Sequence, residues 1–565
     1  MNTANNGRGI NLYLDPWLPV VDLKAGTTKE ISLQDAMMNA KGYMLAAQTR
    51  VEKVSLLRTL CALAGTVLYR YDASGKEAYV KDADEAVKRW AEAFKKGFSE
   101  NAVKAYGKKW EDYLYLHDEK YPFYQTPDLD RGKKKIPRTA KGAIDTKKIY
   151  SISKINPAVY QSNNSTIQMS IVQKKKTDLT EPELARALIA AQAFIDNSAK
   201  ELGGASSGTS WPGHRVTVYA EGKNLLETML LNIPMTDRFG ELWDSMTPNW
   251  ERSDRPTEPT LSDTVPRDPA NIMTAQARRI ELFKEFDYKM GYSRGGDIYD
   301  TNKGKDKLPM KEPMNDPMIS CREDAESHEP VPNCELRETT AWAQTIKDFL
   351  KKQDMRKPAG KEDGERQNTG ITAGLFEWLD TVDDIGADIK DVTLQFTLIT
   401  YKGLTRSGFD TINGTSSKLR IDIKDEDWKD LILEELAKLD DTADALRVFG
   451  RKIAGAASYS NPYWARDEFY TRCKSPFESF MNAIDIKKTD KEKIKAAWEK
   501  KALSVADECM HEMIDRIGLT NFIAREVKDG SKKTPYTPGE IYSTKKRIEK
   551  ILDGRFNNDE HTDKQ

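Results

Sequence analysis

Four amphipathic segments fill the chain after about Asp425, and they constrain its fold more than any other feature. Each repeats apolar residues at helical spacing, and the second carries an aromatic face between Trp464 and Phe480. The segments cover residues 425–458, 462–485, 490–516 and 537–553. Long helices joined by loops of modest length favour an antiparallel four-helix bundle. The sequence therefore predicts such a bundle over residues 419–565.

The residues before this bundle mix strand and helix patterns. Two short strands are expected on either side of the turn at Lys24–Gly26, followed by a helix that Ser32 caps. Strict alternation over Asp391–Lys402 predicts a further strand. One predicted helix carries a single apolar stripe, formed by Val54, Leu57, Cys61, Ala64 and Leu68. We expect an α+β fold, with a large mixed α/β N-terminal domain over residues 1–418 followed by the C-terminal antiparallel four-helix bundle.

The charge balance excludes a polycation. The 565 residues include 88 Lys and Arg against 89 Asp and Glu, so the net charge is -1. Any nucleic-acid site must then be a local basic patch rather than a property of the whole surface.

The cellular compartment is predicted from three absences. No apolar run approaches the ~20 residues that span a bilayer. The N-terminus lacks a basic segment followed by a long apolar core. The five cysteines are odd in number, scattered and without a CxxC pair, which fits a reducing compartment. We expect a cytoplasmic protein with no membrane partner.

Catalytic motifs are absent from the sequence. There is no phosphate-binding GxxxxGK[ST] loop and no GxSxG motif, and the five histidines are scattered. His511, Glu512 and Asp515 form a fragment of the HExxH zinc motif, but its second histidine is missing. We expect no catalytic residue, no metal and no cofactor, and hence a protein that is not an enzyme.

A glycine-rich segment, NSAKELGGASSGTSWPG over residues 197–213, follows a predicted helix. Adjacent glycines let a backbone approach a ligand closely, because no Cβ stands in the way. The alternative is a helix C-cap followed by a flexible connector. The residues by themselves leave both interpretations open.

Seven short motifs occur along the chain in one order. They are NLYLDPWLPV near the N-terminus, YPFYQT at Tyr121–Thr126, QSNNST at Gln161–Thr166, ARALIAAQAF running into the glycine-rich segment, TAQARRIEL at Thr274–Leu282, DPM at Asp316–Met318, and YWARDEF at Tyr463–Phe469. In this order they resemble the CasA family, the large subunits of type I-E CRISPR Cascade complexes. The resemblance spans nearly the whole chain.

The resemblance implies a non-catalytic subunit of an RNA-guided surveillance complex. Such a subunit recognises the protospacer-adjacent motif in double-stranded DNA from the minor groove and helps to open the duplex for R-loop formation. It also holds the displaced non-target strand and recruits a separate helicase-nuclease. The implied partners are the crRNA-containing backbone and small subunits of Cascade, the target DNA and that helicase-nuclease.

The resemblance also implies which residues meet the nucleic acid. Gly203, Gly204 and Ala205 match the family's glycine loop, which places backbone against base edges, although alanine replaces the third glycine here. Asn163, Asn164 and Ser165 fall in a loop expected to dock on the DNA and on the crRNA 5′ end. An ordinary turn is the alternative for the two asparagines.

Two further DNA-contacting positions have several candidates. The lysine that enters the minor groove is one of the cations near the DPM motif, which are Lys303, Lys305, Lys307, Lys311 and Arg322. The wedge beneath the motif should follow the strand at Asp391–Lys402. Its candidates are Arg406, Ser407, Gly408 and Phe409, and an apolar wedge such as phenylalanine can unstack a base step.

Lysines of the C-terminal bundle are expected to track the displaced strand. Lys491, Lys493 and Lys495 lie close together in the third amphipathic segment. The alternative is that these lysines only solvate a helix face. For the whole chain, the alternatives are a large subunit of another type I CRISPR subtype and an unrelated enzyme.

Overall fold

The computed structural model describes residues 7–132, 135–155, 179–194, 210–257, 260–261, 268–295, 297–298, 315–323, 330–351, 373–386, 389–401, 409–423, 425–457, 461–485, 488–517 and 538–552. The chain divides into two compact units. The first comprises Met1–Leu336 and Met355–Ser416, and the second comprises Arg337–Asp354 and Ser417–Gln565. Helices and strands are numbered in chain order below.

The first unit begins with a three-stranded antiparallel sheet of order β2-β1-β3. Its elements are β1 (Leu18–Asp22), β2 (Thr27–Ile31), α1 (Leu33–Met38) and β3 (Tyr43–Leu45). The Ser32 hydroxyl accepts a hydrogen bond from the Asp35 N–H and so caps α1. The two predicted strands and this cap are confirmed.

Helix α2 (Arg50–Arg70) lies at the centre of the first unit. It contacts the helices α3 (Ala83–Lys96), α4 (Glu100–Trp110), α5 (Glu181–Phe194), α6 (Leu225–Leu231) and α7 (Pro269–Met273). Leu56, Leu60 and Leu63 are buried along with the predicted stripe. The predicted face is buried, and neighbouring helices cover α2 on other sides as well.

Two further three-stranded sheets are formed mainly by residues of the first unit. One has the order β4-β8-β7 and is formed by β4 (Tyr150–Ser151), β7 (Arg278–Leu282) and β8 (Met290–Gly295). The other has the order β13-β12-β5 and is formed by β5 (Val216–Glu221), β12 (Asp391–Tyr401) and β13 (Phe409–Arg420). The strand predicted at Asp391–Lys402 is thus confirmed as β12.

Two strand pairs and one helix remain in this unit. Strand β6 (Thr260–Leu261) pairs with β9 (Asp297–Ile298), and β10 (Cys321–Glu323) pairs with β11 (Pro330–Pro332). Helix α9 (Gly374–Asp384) packs on α6.

The second unit is helical. Its helices are α8 (Ala341–Lys351), α10 (Glu426–Ala457), α11 (Trp464–Asn482), α12 (Lys491–Ile517) and α13 (Pro538–Leu552). Aromatic rings fill the core, where Phe477 and Trp498 meet edge to face with centroids 4.9 Å apart. Helices α10–α13 coincide with the four predicted amphipathic segments, and the predicted α+β fold class is confirmed.

Helix α8 joins the second unit although it precedes the other helices by many residues. The Trp342 ring packs on Phe477 with centroids 5.5 Å apart, and its Nε1 donates to the Tyr470 carbonyl at 3.2 Å. The division at residues 418 and 419 expected from the sequence leaves α8 in the first domain. In the structure, this tryptophan places Arg337–Asp354 with the bundle helices.

Every helix within the described ranges is too short or too polar to cross a lipid bilayer.

Candidate nucleic-acid interface

Most of the predicted DNA-contacting residues lie outside the described residues. They are Asn163, Asn164, Ser165, Gly203, Gly204, Ala205, Lys311, Arg406, Ser407 and Gly408. The structure describes the chain on either side of these segments. Buried hydrogen bonds hold the two ends of the glycine-rich segment.

Gln192, near the end of α5, holds the chain that precedes the glycine-rich segment. Its side chain is buried, and its Nε2 donates to the carbonyls of Tyr124 and Arg278, both at 2.9 Å. Its Oε1 accepts from the Arg278 N–H at 2.9 Å. One amide side chain therefore ties α5 to strand β7 and to the YPFYQT motif.

Trp211 holds the other end of the same segment. Its indole Nε1 donates to Asp316 Oδ2 at 2.8 Å. Arg58 of α2 binds both carboxylate oxygens of Asp316, at 2.9 and 2.8 Å, and both side chains are almost fully buried. Asp316 opens the DPM motif, so this motif anchors the chain that leaves the glycine-rich segment.

Both ends of the glycine-rich segment reach the same place in the fold. Ala193 and Trp211 line one small cavity together with Arg58 and Gln192. The described residues on the two sides of the undescribed range 195–209 therefore lie close together. Removing one partner of a buried ion pair costs about 3–5 kcal/mol, so Arg58 and Asp316 make this base of the glycine-rich segment rigid.

The start of α5 is equally well defined. Thr180 and Glu183 form a capping box, in which the Thr180 N–H donates to Glu183 Oε2 at 2.9 Å and the Glu183 N–H donates back to Thr180 Oγ1 at 3.4 Å. Glu181 accepts from the Ile10 N–H at 2.9 Å. These contacts fix the first turn of α5.

The wedge candidates lie between two paired strands. Strand β12 pairs with β5 in an antiparallel register that places Phe396 opposite Val218, and β13 lies on its other side. Residues 402–408 connect β12 to β13, and Phe409 is the first residue of β13. The wedge therefore stays a prediction for this connection.

Arg322 is described, and it lies in β10 opposite Val331 of β11. Its side chain is exposed. It follows the DPM motif by a few residues, so the buried Asp316 anchor fixes the strand that carries it. Its role in the minor groove stays a prediction.

The three bundle lysines differ in their surroundings. Lys491 lies 3.1 Å from Asp427 and 5.0 Å from the centre of the Trp428 ring. Lys495 pairs with Glu434 at 3.1 Å. Lys493 is exposed and has no ion pair within the described residues. Two of the three lysine charges are therefore already compensated by carboxylates of α10.

Two residues of the zinc-like fragment on α12, His511 and Glu512, contact other protein groups. Arg472 donates to both carboxylate oxygens of Glu512, at 2.7 and 2.9 Å, which lowers the pKa of Glu512. His511 Nδ1 lies 2.8 Å from the Asp507 carbonyl oxygen. In the described part of the chain, no three His, Cys, Asp or Glu side chains group as metal ligands would.

Sequence reasoning missed Arg58 as the partner of Asp316. The one available signal was an arginine inside the apolar run from Leu56 to Leu60. A buried arginine needs a carboxylate, but its partner stands 258 positions away along the chain. Nothing local points to that partner.

Comparisons with known proteins agree with this fold. The family model of CRISPR-associated protein Cse1 matches residues 11–509. The CRISPR-associated protein CasA/Cse1 of Thermus thermophilus is 26% identical over 324 residues. That alignment covers 56% of this chain and 56% of the relative, so the match spans little more than half of that protein's length.

Solved structures show the same fold. The crystal structure of Thermobifida fusca Cse1 superposes with a TM-score of 0.69 at 20% identity, covering 98% of this chain and 100% of that one. Cse1 from Acidimicrobium ferrooxidans gives a TM-score of 0.66 at 18% identity, covering 97% and 98% of the two chains. Thermus thermophilus CasA (Cse1) gives 0.63 at 17% identity, with coverage of 97% and 100%.

Proposed function

The chain belongs to the family of CRISPR-associated protein Cse1, and from this premise we propose that it is the non-catalytic large subunit of a type I-E Cascade complex. In this role it recognises the protospacer-adjacent motif of double-stranded DNA from the minor groove and helps to unwind the duplex. It then holds the displaced strand and recruits the helicase-nuclease. Its other partners are the crRNA-containing Cascade subunits, and it acts in the cytoplasm.

The physical division of labour suits such a subunit. In RNA-guided recognition, base pairing with the guide reads the target, and the protein reads only a short motif and the shape of the duplex. The minor groove offers few distinguishing groups and is narrow. A glycine-rich backbone can enter it where bulkier side chains would collide.

The anchored base of the glycine-rich segment is the observation that best supports this proposal. A recognition loop must be held to within about 0.5 Å by rigid support if it is to discriminate between bases. Gln192 and Trp211 tie the two ends of the segment to buried partners on β7 and in the DPM motif. A connector without a recognition role would not need both ends fixed in the core.

The proposal is tested by placing bulk and charge in the segment. The double substitution Gly203→Asp and Gly204→Asp should weaken target binding by the assembled complex at least about tenfold, or ~1.4 kcal/mol, because the carboxylates would face phosphates and base edges. Assembly on crRNA should stay intact. Gel-shift titration and size-exclusion chromatography measure the two properties.

Gly42→Asp is the matched control. Gly42 is exposed, and a Cβ built there would have no neighbour within 4 Å. The substitution therefore adds a carboxylate where there is open space and no predicted DNA contact. Wild-type target affinity in the double variant would show that the segment is only a connector.

A further inference from the structure

Arg255 is a buried arginine with no carboxylate partner in the part of the chain that the structure describes. Only 9% of it is exposed, and its Nη2 donates to the Trp250 carbonyl at 3.2 Å. Its Nε is buried and makes no hydrogen bond. Among the residues that the structure describes, no carboxylate lies within ion-pair distance of this guanidinium.

Three other buried arginines of the same unit are paired with carboxylates. The pairs are Arg58 with Asp316, Arg70 with Glu251, and Arg186 with Glu30. Removing a charge from water costs several kcal/mol unless a counter-charge compensates it. Burial, reinforced by the charge of Arg252, lowers the pKa of Arg255 to about 10. Its positive charge is therefore held in the fold at a cost that its internal contacts do not offset.

Partly exposed aromatic rings stand beside this charge. Tyr113 and Tyr121 stack with ring centroids 4.2 Å apart and an angle of 19° between their planes. The Arg255 guanidinium lies 5.8 Å from the centre of the Tyr121 ring, and Lys120 Nζ lies 5.0 Å from it. Lys120 is exposed. One patch therefore combines two positive groups with a stacked pair of rings.

The nearby acidic side chain does not neutralise this patch. Asp254 is bound by Arg252, whose Nη2 lies 2.9 Å from its Oδ2. Asp254 thus forms its ion pair with Arg252 and attracts Arg255 only from beyond ion-pair distance. Lys120 has no ion pair among the described residues. An anion with a flat ring attached would satisfy both the charges and the tyrosines.

We propose that Arg255, Lys120 and the Tyr113–Tyr121 stack form a binding site for one nucleotide of a single-stranded nucleic acid. The cations take the phosphate, and a tyrosine face takes the base. Guanidinium groups suit phosphate geometry, and aromatic stacking holds unpaired bases without regard to sequence. The choice of nucleic acid over other anions rests on the function proposed above.

The first test replaces Arg255 by methionine in the full-length protein. Affinity for fluorescent oligo(dT), measured by anisotropy, should fall at least about tenfold, and the salt slope should drop by roughly 0.7 for the lost phosphate contact. The thermal midpoint should stay the same or rise, because an uncompensated charge has been removed.

Two matched variants separate this site from a structural role. Arg252→Met removes an arginine that Asp254 already neutralises, so oligo(dT) affinity should change little. Arg70→Met removes the buried partner of Glu251 and should lower the thermal midpoint.

Tyr121→Leu should weaken oligo(dT) binding by roughly 5- to 150-fold, the range measured for loss of one stacked base.

Unchanged oligo(dT) binding in Arg255→Met would overturn the proposal, and so would a lowered thermal midpoint with normal binding. The same titration with inorganic phosphate and with an acidic peptide identifies the ligand. Tighter binding of the peptide than of oligo(dT) would also overturn it. A different result separates the two proposals. If the Gly203→Asp and Gly204→Asp variant binds target normally while Arg255→Met loses oligo(dT) binding, the proposed function is contradicted and the nucleotide site is supported.

Discussion

At the scale of single residues, Asp316 accepts hydrogen bonds from both Nη atoms of Arg58 and from the indole of Trp211. It also accepts from the Met318 N–H at 3.1 Å. Four donors on one buried carboxylate connect α2, the DPM motif and the end of the glycine-rich segment. The position of that segment therefore depends on the charge of one residue.

Asp316→Ala should destabilise the protein by about 3–5 kcal/mol, because Arg58 would be left buried without its counter-charge. Urea-induced unfolding measures the change. Asp112→Ala removes an exposed partner of Arg8 and should cost at most about 1 kcal/mol. Equal losses in the two variants would contradict the role assigned to the buried pair.

His117 makes the stability of the first unit depend on pH. Its side chain is 3% exposed and stacks on Tyr288, and burial lowers its pKa to about 4. The unfolded chain binds the proton near pH 6.5 and the folded chain only near pH 4, so stability is lost as pH falls through this window. Glu181 Oε1 lies 3.8 Å from His117 Nε2.

His117→Phe should remove this dependence. As the pH falls from about 7 to about 4, the unfolding free energy of the wild type should decrease by up to roughly 3 kcal/mol relative to that of the variant. Carboxylates that titrate in the same range cancel in the difference. A pH-independent difference would mean that His117 is not held neutral.

At the scale of elements, the facing surfaces of α10 and α12 are held together by ion pairs. Lys438 lies within 3.0 Å of Glu434, Glu435 and Glu499, and Lys495 adds a further pair with Glu434. Desolvation raises the pKa of the buried Glu435 to about 7, although Lys438 opposes this. Lys491 and Lys495 of α12 are thus paired with carboxylates of α10. Under the proposed function, Lys493 is the better candidate for a phosphate contact.

Lys493→Gln should therefore weaken R-loop complexes more than Lys491→Gln does. Loss of one phosphate contact with a single strand should lower the salt slope by about 0.7, uniformly across target sequences. Binding measured at several salt concentrations gives the slope. Normal DNA binding with lost target degradation would assign Lys493 to the recruitment of the helicase-nuclease.

The sequence predicts elements better than it predicts their partners. Helices α10–α13, the Ser32 cap and strand β12 follow from local periodicity and hydrogen-bonding rules. The burial of α2 on several sides, the pairing of Arg58 with Asp316 and the position of Arg255 over the Tyr121 ring depend on residues far away along the chain. Periodicity describes one face of a helix, and it says nothing about what covers the other faces.

At the scale of the whole molecule, the second unit is discontinuous in sequence. Helix α8 carries a regular apolar face, formed by Trp342, Ile346, Phe349 and Leu350, all of which are buried. Lys347 of α8 also pairs with Asp440 of α10. The core of the second unit therefore includes residues that a cut at residue 419 would remove.

A fragment of residues 417–565 should consequently be less stable than the same fragment supplied with a peptide of residues 337–354. Without the peptide, Phe477 loses the Trp342 ring and the Tyr470 carbonyl loses its indole donor. Loss of a buried tryptophan costs about 3–5 kcal/mol, enough to abolish the folding of a marginally stable unit. Circular dichroism should show a cooperative thermal transition only with the peptide, and a peptide carrying Trp342→Ala should fail to restore it. If the fragment melts cooperatively at the same temperature with and without the peptide, α8 does not contribute to the stability of the bundle.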